Sequence, residues 1–277
     1  MCQYRSDMAF LAIPQPYDFA LSTERFRAFG IDLANLWHEG GLHRVVGERE
    51  IRIEPAPGGV DVEPLDDETR PVVLKLLGSE FDLESFTSWA SERPVLSSLV
   101  AQLVGFRPPL APDPFESLVT SITAQQVSLY AAFAIRNRLI ERFGRRRGDA
   151  YAFPTRERLA LAREDELVAA GFSRRKAEYV VGLARADVDL DDLAVLDDDG
   201  IRERLTALRG IGTWTADWFL ARHLARPRAW PAGDLALRKA AHVLYGLDVH
   251  ELGRRLDPFQ NLSAHYLLSG MRVAAAA

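Results

Sequence analysis

The chain has one cysteine, Cys2, among 277 residues. An intrachain disulfide is therefore excluded, as is any four-cysteine zinc or iron–sulfur site. Such a chain is expected in a reducing, cytoplasmic setting. Lysine is almost as scarce, with Lys75, Lys176 and Lys239 the only three. Basic excess is also lacking: the formal net charge is -5, so any nucleic-acid surface must gather its positive charge on one face. Long apolar runs are missing. The longest, Val95 to Phe106, is interrupted by Ser97, Ser98, Gln102 and Gly105, and a membrane span needs roughly 20 apolar residues. No basic stretch leads into an apolar core near the start, so no secretory leader is expected. What remains is a globular mixture, 48% hydrophobic and 26% charged, enough for two or three cores.

Along the chain the pattern changes once. His43 to Val46, Glu50 to Glu54 and Val60 to Glu63 are short, β-branched and alternating, and Pro55 to Gly59 separates the last two as in a hairpin. Asp67 to Leu77 has helical periodicity. From Arg93 onward apolar residues recur at helical spacing, as in Phe115, Leu118, Val119 and Ile122, then Leu129, Phe133, Leu139, Ile140 and Phe143. Asp113 before Pro114, Gly171 after Ala170, and Ser173 are stop and start signals of consecutive helices. The aspartate-rich stretch 187–200 is expected to supply a solvated surface and helix caps, since it lacks the spacing of a calcium loop. The expected fold is mainly α with an N-terminal α+β domain built on an antiparallel sheet. Residues 1–92 would form that domain. Residues 113–225 would form one helical subdomain, and 93–112 with 226–277 the other.

The richest stretch is Leu208-Arg209-Gly210-Ile211-Gly212-Thr213-Trp214-Thr215-Ala216. Two glycines two apart let the backbone turn tightly and lie close to another surface. A helix starting at Thr213 presents free amides and its positive dipole end, which together hold a phosphate. A glycine-turned helical hairpin with no ligand has the same local pattern. Trp214 and Trp218 are four apart and share a helix face. Core packing would also explain them. A short linker, Arg226 to Gly233, leads to Asp234, which begins another helix and could serve only as its cap.

Taken together, Leu-x-Gly-Ile-Gly-x-Trp-Thr-Ala from Leu208 and Pro-x-x-Asp-x-x-Leu from Pro231 resemble the helix-hairpin-helix DNA glycosylases. The spacing from Trp214 to Asp234 is similar to that of the AlkA type of DNA-3-methyladenine glycosylase II. Asp113 to Glu116, Ile122 to Ser128, Phe153 to Thr155 and Ala170 to Ala177 agree with that family, and Pro16 to Phe19 is similar to the opening of its β-domain. The resemblance is strong from Asp113 to Lys239 and weaker outside.

The resemblance implies a monofunctional base-excision enzyme acting on double-stranded DNA with alkylated bases, 3-methyladenine and related purines, as a monomer. Asp234 would be the catalytic carboxylate. Trp214, Trp218, Leu235 and Phe259 would line the base pocket, with Leu235 and Phe259 standing where AlkA carries other aromatics. Gln125 and Gln126 would form the DNA wedge, with Gln126 standing where AlkA has leucine. Arg209, Gly210, Gly212 and Thr213 would meet phosphate, with Arg145 to Arg147 and Arg174 to Lys176 as a basic margin. No cofactor or metal is expected beyond a monovalent cation that this hairpin type often binds. Bifunctional relatives carry a lysine nucleophile where this chain has Trp214, so no lyase activity is expected. A non-catalytic helix-hairpin-helix DNA-binding protein and an oxidised-purine glycosylase are the competing expectations. Lesion preference is not readable from the sequence.

Overall fold

The computed structural model describes residues 8–276; Cys2 lies outside them. Five strands come first: β1 (Ala9–Ala12), β2 (Leu36–His38), β3 (Gly41–Val46), β4 (Arg49–Ala56) and β5 (Gly59–Glu63). They form one antiparallel sheet in the order β1-β5-β4-β3-β2. Alternation in β4 buries Ile51 and Ile53 while Arg52 and Glu54 turn away. The hairpin turn is tighter than the proline-rich sequence suggests. Pro55 and Ala56 stay in the strand, opposite Val60 and Gly59, leaving only Pro57-Gly58 as the turn. Strands β1 and β2 lie at the two edges of the sheet and are absent from the sequence reading.

Fourteen α-helices and two short 3-10 helices make up most of the rest of the described chain. Helix α1 (Phe19–Thr23) and helix α2 (Thr69–Leu76) pack with the sheet through Phe19, Val73 and Leu76. Next come α3 (Leu83–Ser91) and α4 (Pro94–Gln102). Then follow α5 (Pro114–Ala124), α6 (Leu129–Phe143), a small hairpin of β6 (Arg145–Arg147) and β7 (Ala150–Ala152), α7 (Arg156–Ala160), α8 (Glu164–Ala169) and α9 (Arg174–Arg185). The last are α10 (Asp198–Thr206), α11 (Thr213–Arg222), α12 (Leu235–Tyr245), α13 (Val249–Arg255) and α14 (Gln260–Ala276). Side-chain caps set many of these starts: Asp113, Ser128, Thr155, Ser173, Asp197, Asp234 and Asp248 each accept an amide from the first turn that follows. Among the described residues no helix is long and apolar enough to cross a membrane.

Three buried clusters result. One belongs to the sheet. A second runs from Phe115 to Ala229. The third joins Leu96, Leu99 and Leu103 to Leu237, Leu252 and Leu267, so the chain leaves this layer and returns to it. Phe81, Leu83, Phe86 and Ala90, which the sequence pattern grouped with the sheet, are buried in this third cluster instead. Their apolar face runs with a helical period and fits a helical neighbour, not a pleated one.

Between the sheet and the helices sits a closed ionic network. Arg44 on β3 donates to Glu116 on α5 at 2.6 Å. Arg136 on α6 donates to Glu116 at 2.6 Å and also to Asp32. Asn35 Oδ1 takes another Arg44 proton at 2.7 Å, and Thr120 Oγ1 accepts from Arg136 Nε at 3.1 Å. All four charged groups are buried, and two cations balance two anions. Burial pushes the Glu116 and Asp32 carboxyls up, but the neighbouring arginines more than offset this and hold both below the usual carboxylate range.

A depressed folded-state carboxyl contributes stability above its unfolded value, about 4, and loses it as pH falls through the folded value. Glu116→Gln should therefore cost about 3–5 kcal/mol at neutral pH, because it leaves buried arginine charge uncompensated. It should also flatten the decline in stability below about pH 4. Denaturant melts of both proteins across pH check this; parallel pH curves would remove the network from the account.

Candidate active site

The hairpin between α10 and α11 is built around Gly210. Its φ of +90° lies in the left-handed region, and a Cβ there would stand 2.1 Å from Cγ of Tyr179 on α9. Ile211 is buried beneath the turn. Gly212, the N-cap of α11, is extended and exposed, with nothing within 4 Å of where a Cβ would be. Thr213 is exposed beside it, so the first amides of α11 face open space. A cleft of about 380 Å³ opens at this hairpin, and its lining includes Gln126, Arg175, Lys176, Gly210 and Gly212.

Several expected contacts are reassigned by their partners. Gln125 Nε2 donates to Gly210 O at 2.9 Å and to Thr215 Oγ1 at 3.2 Å. It braces the hairpin and is not free to enter a duplex. Gln126, one residue on, has a φ of +56° and is exposed, so the turn pushes this side chain outward. Val127, Leu129 and Tyr130 beside it are exposed apolar residues, so Leu129, which helical spacing grouped with Phe133 and Leu139, lies outside the core. Arg209 is mostly exposed but paired to Glu178 at 2.6 Å. Arg145 and Arg147 are held by Glu48, and Arg146 lies 3.9 Å from Asp149. Two of these three arginines thus share one carboxylate of the sheet domain, so the run is partly compensated. Lys176 Nζ donates to Thr123 O at 2.8 Å. The Leu208 and Gly210 carbonyls accept from Ile211 N–H and Gln125 Nε2. The turn is thus held by the chain's own donors.

Asp234 stands across from α11. Its Oδ1 accepts the amides of Ala236 at 2.9 Å and Leu237 at 3.1 Å, capping α12. Its Oδ2 accepts Trp214 Nε1 at 3.2 Å and Trp218 Nε1 at 3.0 Å. Residues four apart on one helix thus place two indole N–H groups on one oxygen of a carboxylate that itself begins another helix. An ionised carboxylate has about four lone-pair sites, and all are directed by protein donors here. The helix N-terminus adds its own preference for an anion.

Trp214 is partly buried, its ring against Gly233. Trp218 is 2% exposed. One face carries the Arg222 guanidinium, with Cζ 3.4 Å from the ring centroid, and His265 approaches at 5.9 Å between centroids. Trp218 therefore has no open face for a base, contrary to the expectation of a stacking platform; its observed task is to hold Asp234. Phe259 packs against Phe86 and Trp89 at 5.8 and 5.2 Å, in the third core cluster. Leu235 is 78% exposed. The end of α11 is pinned by Ala111, whose N–H donates to Arg222 O at 2.7 Å and whose carbonyl lies 2.8 Å from His223 Nδ1. Burial lowers His223 to about 4, so its ring is neutral near pH 7.

Arg222 and Tyr179 escaped the sequence reading. The i, i+4, i+8 series Trp214, Trp218, Arg222 was a signal for the first. Nothing local marks the second, which meets Gly210 only through the packing of α9.

Known proteins similar to this chain fall in one family. A family model described as HhH-GPD superfamily base excision DNA repair protein matches residues 119–255. DNA-3-methyladenine glycosylase of Bacillus subtilis (strain 168) is 28% identical over 200 residues, covering 68% of this chain and 66% of that protein. The chain thus spans just under two thirds of that relative's length. DNA-3-methyladenine glycosylase 1 of Schizosaccharomyces pombe is 30% identical over 176 residues, covering 58% of this chain and 74% of that protein. Among solved structures, a 3-methyladenine DNA-glycosylase from Archaeoglobus fulgidus superposes with a TM-score of 0.85 at 26% identity, covering 94% of this chain and 97% of that one. With its glycine-turned hairpin and the aspartate that follows it, the chain belongs to the HhH-GPD superfamily of base excision DNA repair proteins.

Proposed function

We propose that the protein is a monofunctional DNA glycosylase that excises alkylated purines from duplex DNA. The observation that carries this is the Asp234 carboxylate, held by two indole N–H groups as well as by the amides of α12. A helix cap needs only the amide bonds on Oδ1. The second oxygen, fixed by two tryptophans, is more than capping requires, which weighs against a DNA-binding module without chemistry. The names of the relatives, 3-methyladenine glycosylases, support the alkylated class.

In this reading the first amides of α11 and the Gly210–Gly212 backbone grip a phosphate. Gln126, pushed out by its turn, fills the space an extruded nucleotide leaves. The C1′–N bond then breaks, and its electron pair leaves with the base. Positive charge grows on the sugar. Asp234, held in place by four donors, faces this cation as a positioned carboxylate and stabilises it electrostatically. Water adds at C1′, the proton it sheds passes to solvent, and an abasic sugar remains. The partly open ring of Trp214 is the aromatic surface available for stacking. The reaction as written needs neither metal nor cofactor, and the protein acts as a monomer.

Asp234→Asn should keep DNA affinity and the helix cap, while base release from methylated DNA falls by about 10²–10³-fold or more. Unchanged release under single-turnover conditions would remove Asp234 from catalysis. Borohydride should trap no covalent adduct, because no lysine occupies the Trp214 position; a trapped adduct would overturn the monofunctional assignment. Gly210→Ala adds a Cβ that meets the Tyr179 ring at a left-handed backbone position. The strain, about 1–3 kcal/mol, should deform the phosphate grip. Affinity for an abasic-analogue duplex, measured by anisotropy at fixed salt, should drop about tenfold; an equal affinity would count against the hairpin as the anchor.

A further inference from the structure

Buried arginines in this protein find acceptors. Arg44 and Arg136 join the ionic network. Arg107 donates to Phe81 O and Pro14 O, and Arg156 to Val188 O and other carbonyls. Arg222 is one of two exceptions, Arg25 being the other. Arg222 is deeply set, keeps part of its surface accessible, and has neither ion pair nor side-chain hydrogen bond among the described residues, with Nε buried and unpartnered. A guanidinium carries five donors, and leaving them unpaired away from water is costly. Its position is fixed nonetheless, against the Trp218 ring and by the backbone bond from Ala111. The same indole donates its Nε1 proton to the Asp234 carboxylate. Arg25, likewise without a partner among the described residues, and Arg272 are close enough to repel it. Burial and this repulsion pull Arg222 well below its usual range and Arg25 to about 10. Together they make this wall of the site electropositive.

We propose that Arg222 is a specificity-determining residue that donates hydrogen bonds to the carbonyl edge of the extruded base, so that the site favours 6-oxopurines over cationic 6-aminopurines. The inference rests on the glycosylase reading above. Arg recognises the O6/N7 edge of a purine with two bonds, and hypoxanthine presents that edge while neutral. A 3-methyladenine nucleotide instead carries a positive charge and an amino group at position 6. It meets a fixed cation where an open Trp218 face would have attracted it. Guanine shares the O6/N7 edge, but extrusion from a fully paired G·C step costs more than extrusion of a mispaired hypoxanthine.

The test compares the wild type, Arg222→Met and Arg222→Lys in single-turnover release of hypoxanthine from a defined duplex and of 3-methyladenine from methylated DNA. Arg222→Met should lower the ratio of hypoxanthine release to 3-methyladenine release by about tenfold or more, and a cooperative thermal melt shows that the variant is folded. Arg222→Lys, which keeps charge but not the planar fork, should fall between. An unchanged ratio, with equal losses on both lesions or with none, would overturn the assignment and leave Arg222 as packing for Trp218. A wild type that releases neither lesion would sink the glycosylase reading itself. Calorimetric titration with free hypoxanthine then decides on Arg222: binding weakened about tenfold in Arg222→Met supports it, and equal or absent binding overturns it.

Discussion

One carboxylate, fixed by four hydrogen bonds from two helices, organises this molecule. Asp234 can receive both indole N–H groups only if α11 and α12 meet at a set angle and depth. The Gly210–Gly212 turn fixes where α11 begins. The Ala111 and His223 contacts fix where it ends. The linker 226–233 carries the chain from one helical core to the next, so that Asp234 starts α12 with its side chain facing back. Anion, indoles and free helix amides are therefore one construction: moving the glycine turn would move the tryptophans, and with them the carboxylate.

The sheet domain is tied into the same construction. Arg44, Glu116, Arg136 and Asp32 join β3 to α5 and α6 through buried charge. Glu116 lies on the helix that ends at Ala124, immediately before the Gln125–Gln126 turn. Gln125 then bonds the hairpin at Gly210. A continuous path of hydrogen bonds thus runs from the sheet to the hairpin. Arg25 extends the sheet domain's influence to the electropositive wall beside Arg222.

Much of this was legible in the sequence because its signals are local. Caps at Asp113, Ser173 and Asp234, and the Gly-Ile-Gly turn, are short-range chemistry, and each occurs where expected. Trp214 and Trp218 share a face through helical spacing alone. The failures have a common cause in partners distant in sequence. Arg145 to Arg147 look like an uncompensated basic margin until Glu48 arrives from the sheet. Gln125 looks as free as Gln126 until the hairpin packs beside it. Phe259 stands where a pocket aromatic was expected, yet Phe86 and Trp89 claim its faces. Trp218 was read as a base platform, because no local pattern reveals that Arg222 covers it. Edge strands β1 and β2, three or four residues long, are too short for alternation to register.

The central claim is that Asp234 meets the sugar of an extruded nucleotide as an anion held by both indoles. The most direct measurement is a crystal structure with a duplex carrying a cationic pyrrolidine in place of the damaged sugar. The account predicts the pyrrolidine nitrogen about 3 Å from an Asp234 oxygen, with both tryptophan bonds intact and a flanking phosphate on the first turn of α11. A ring nitrogen that contacts no carboxylate, with Asp234 bonded only to its own helix and the two tryptophans, would contradict it.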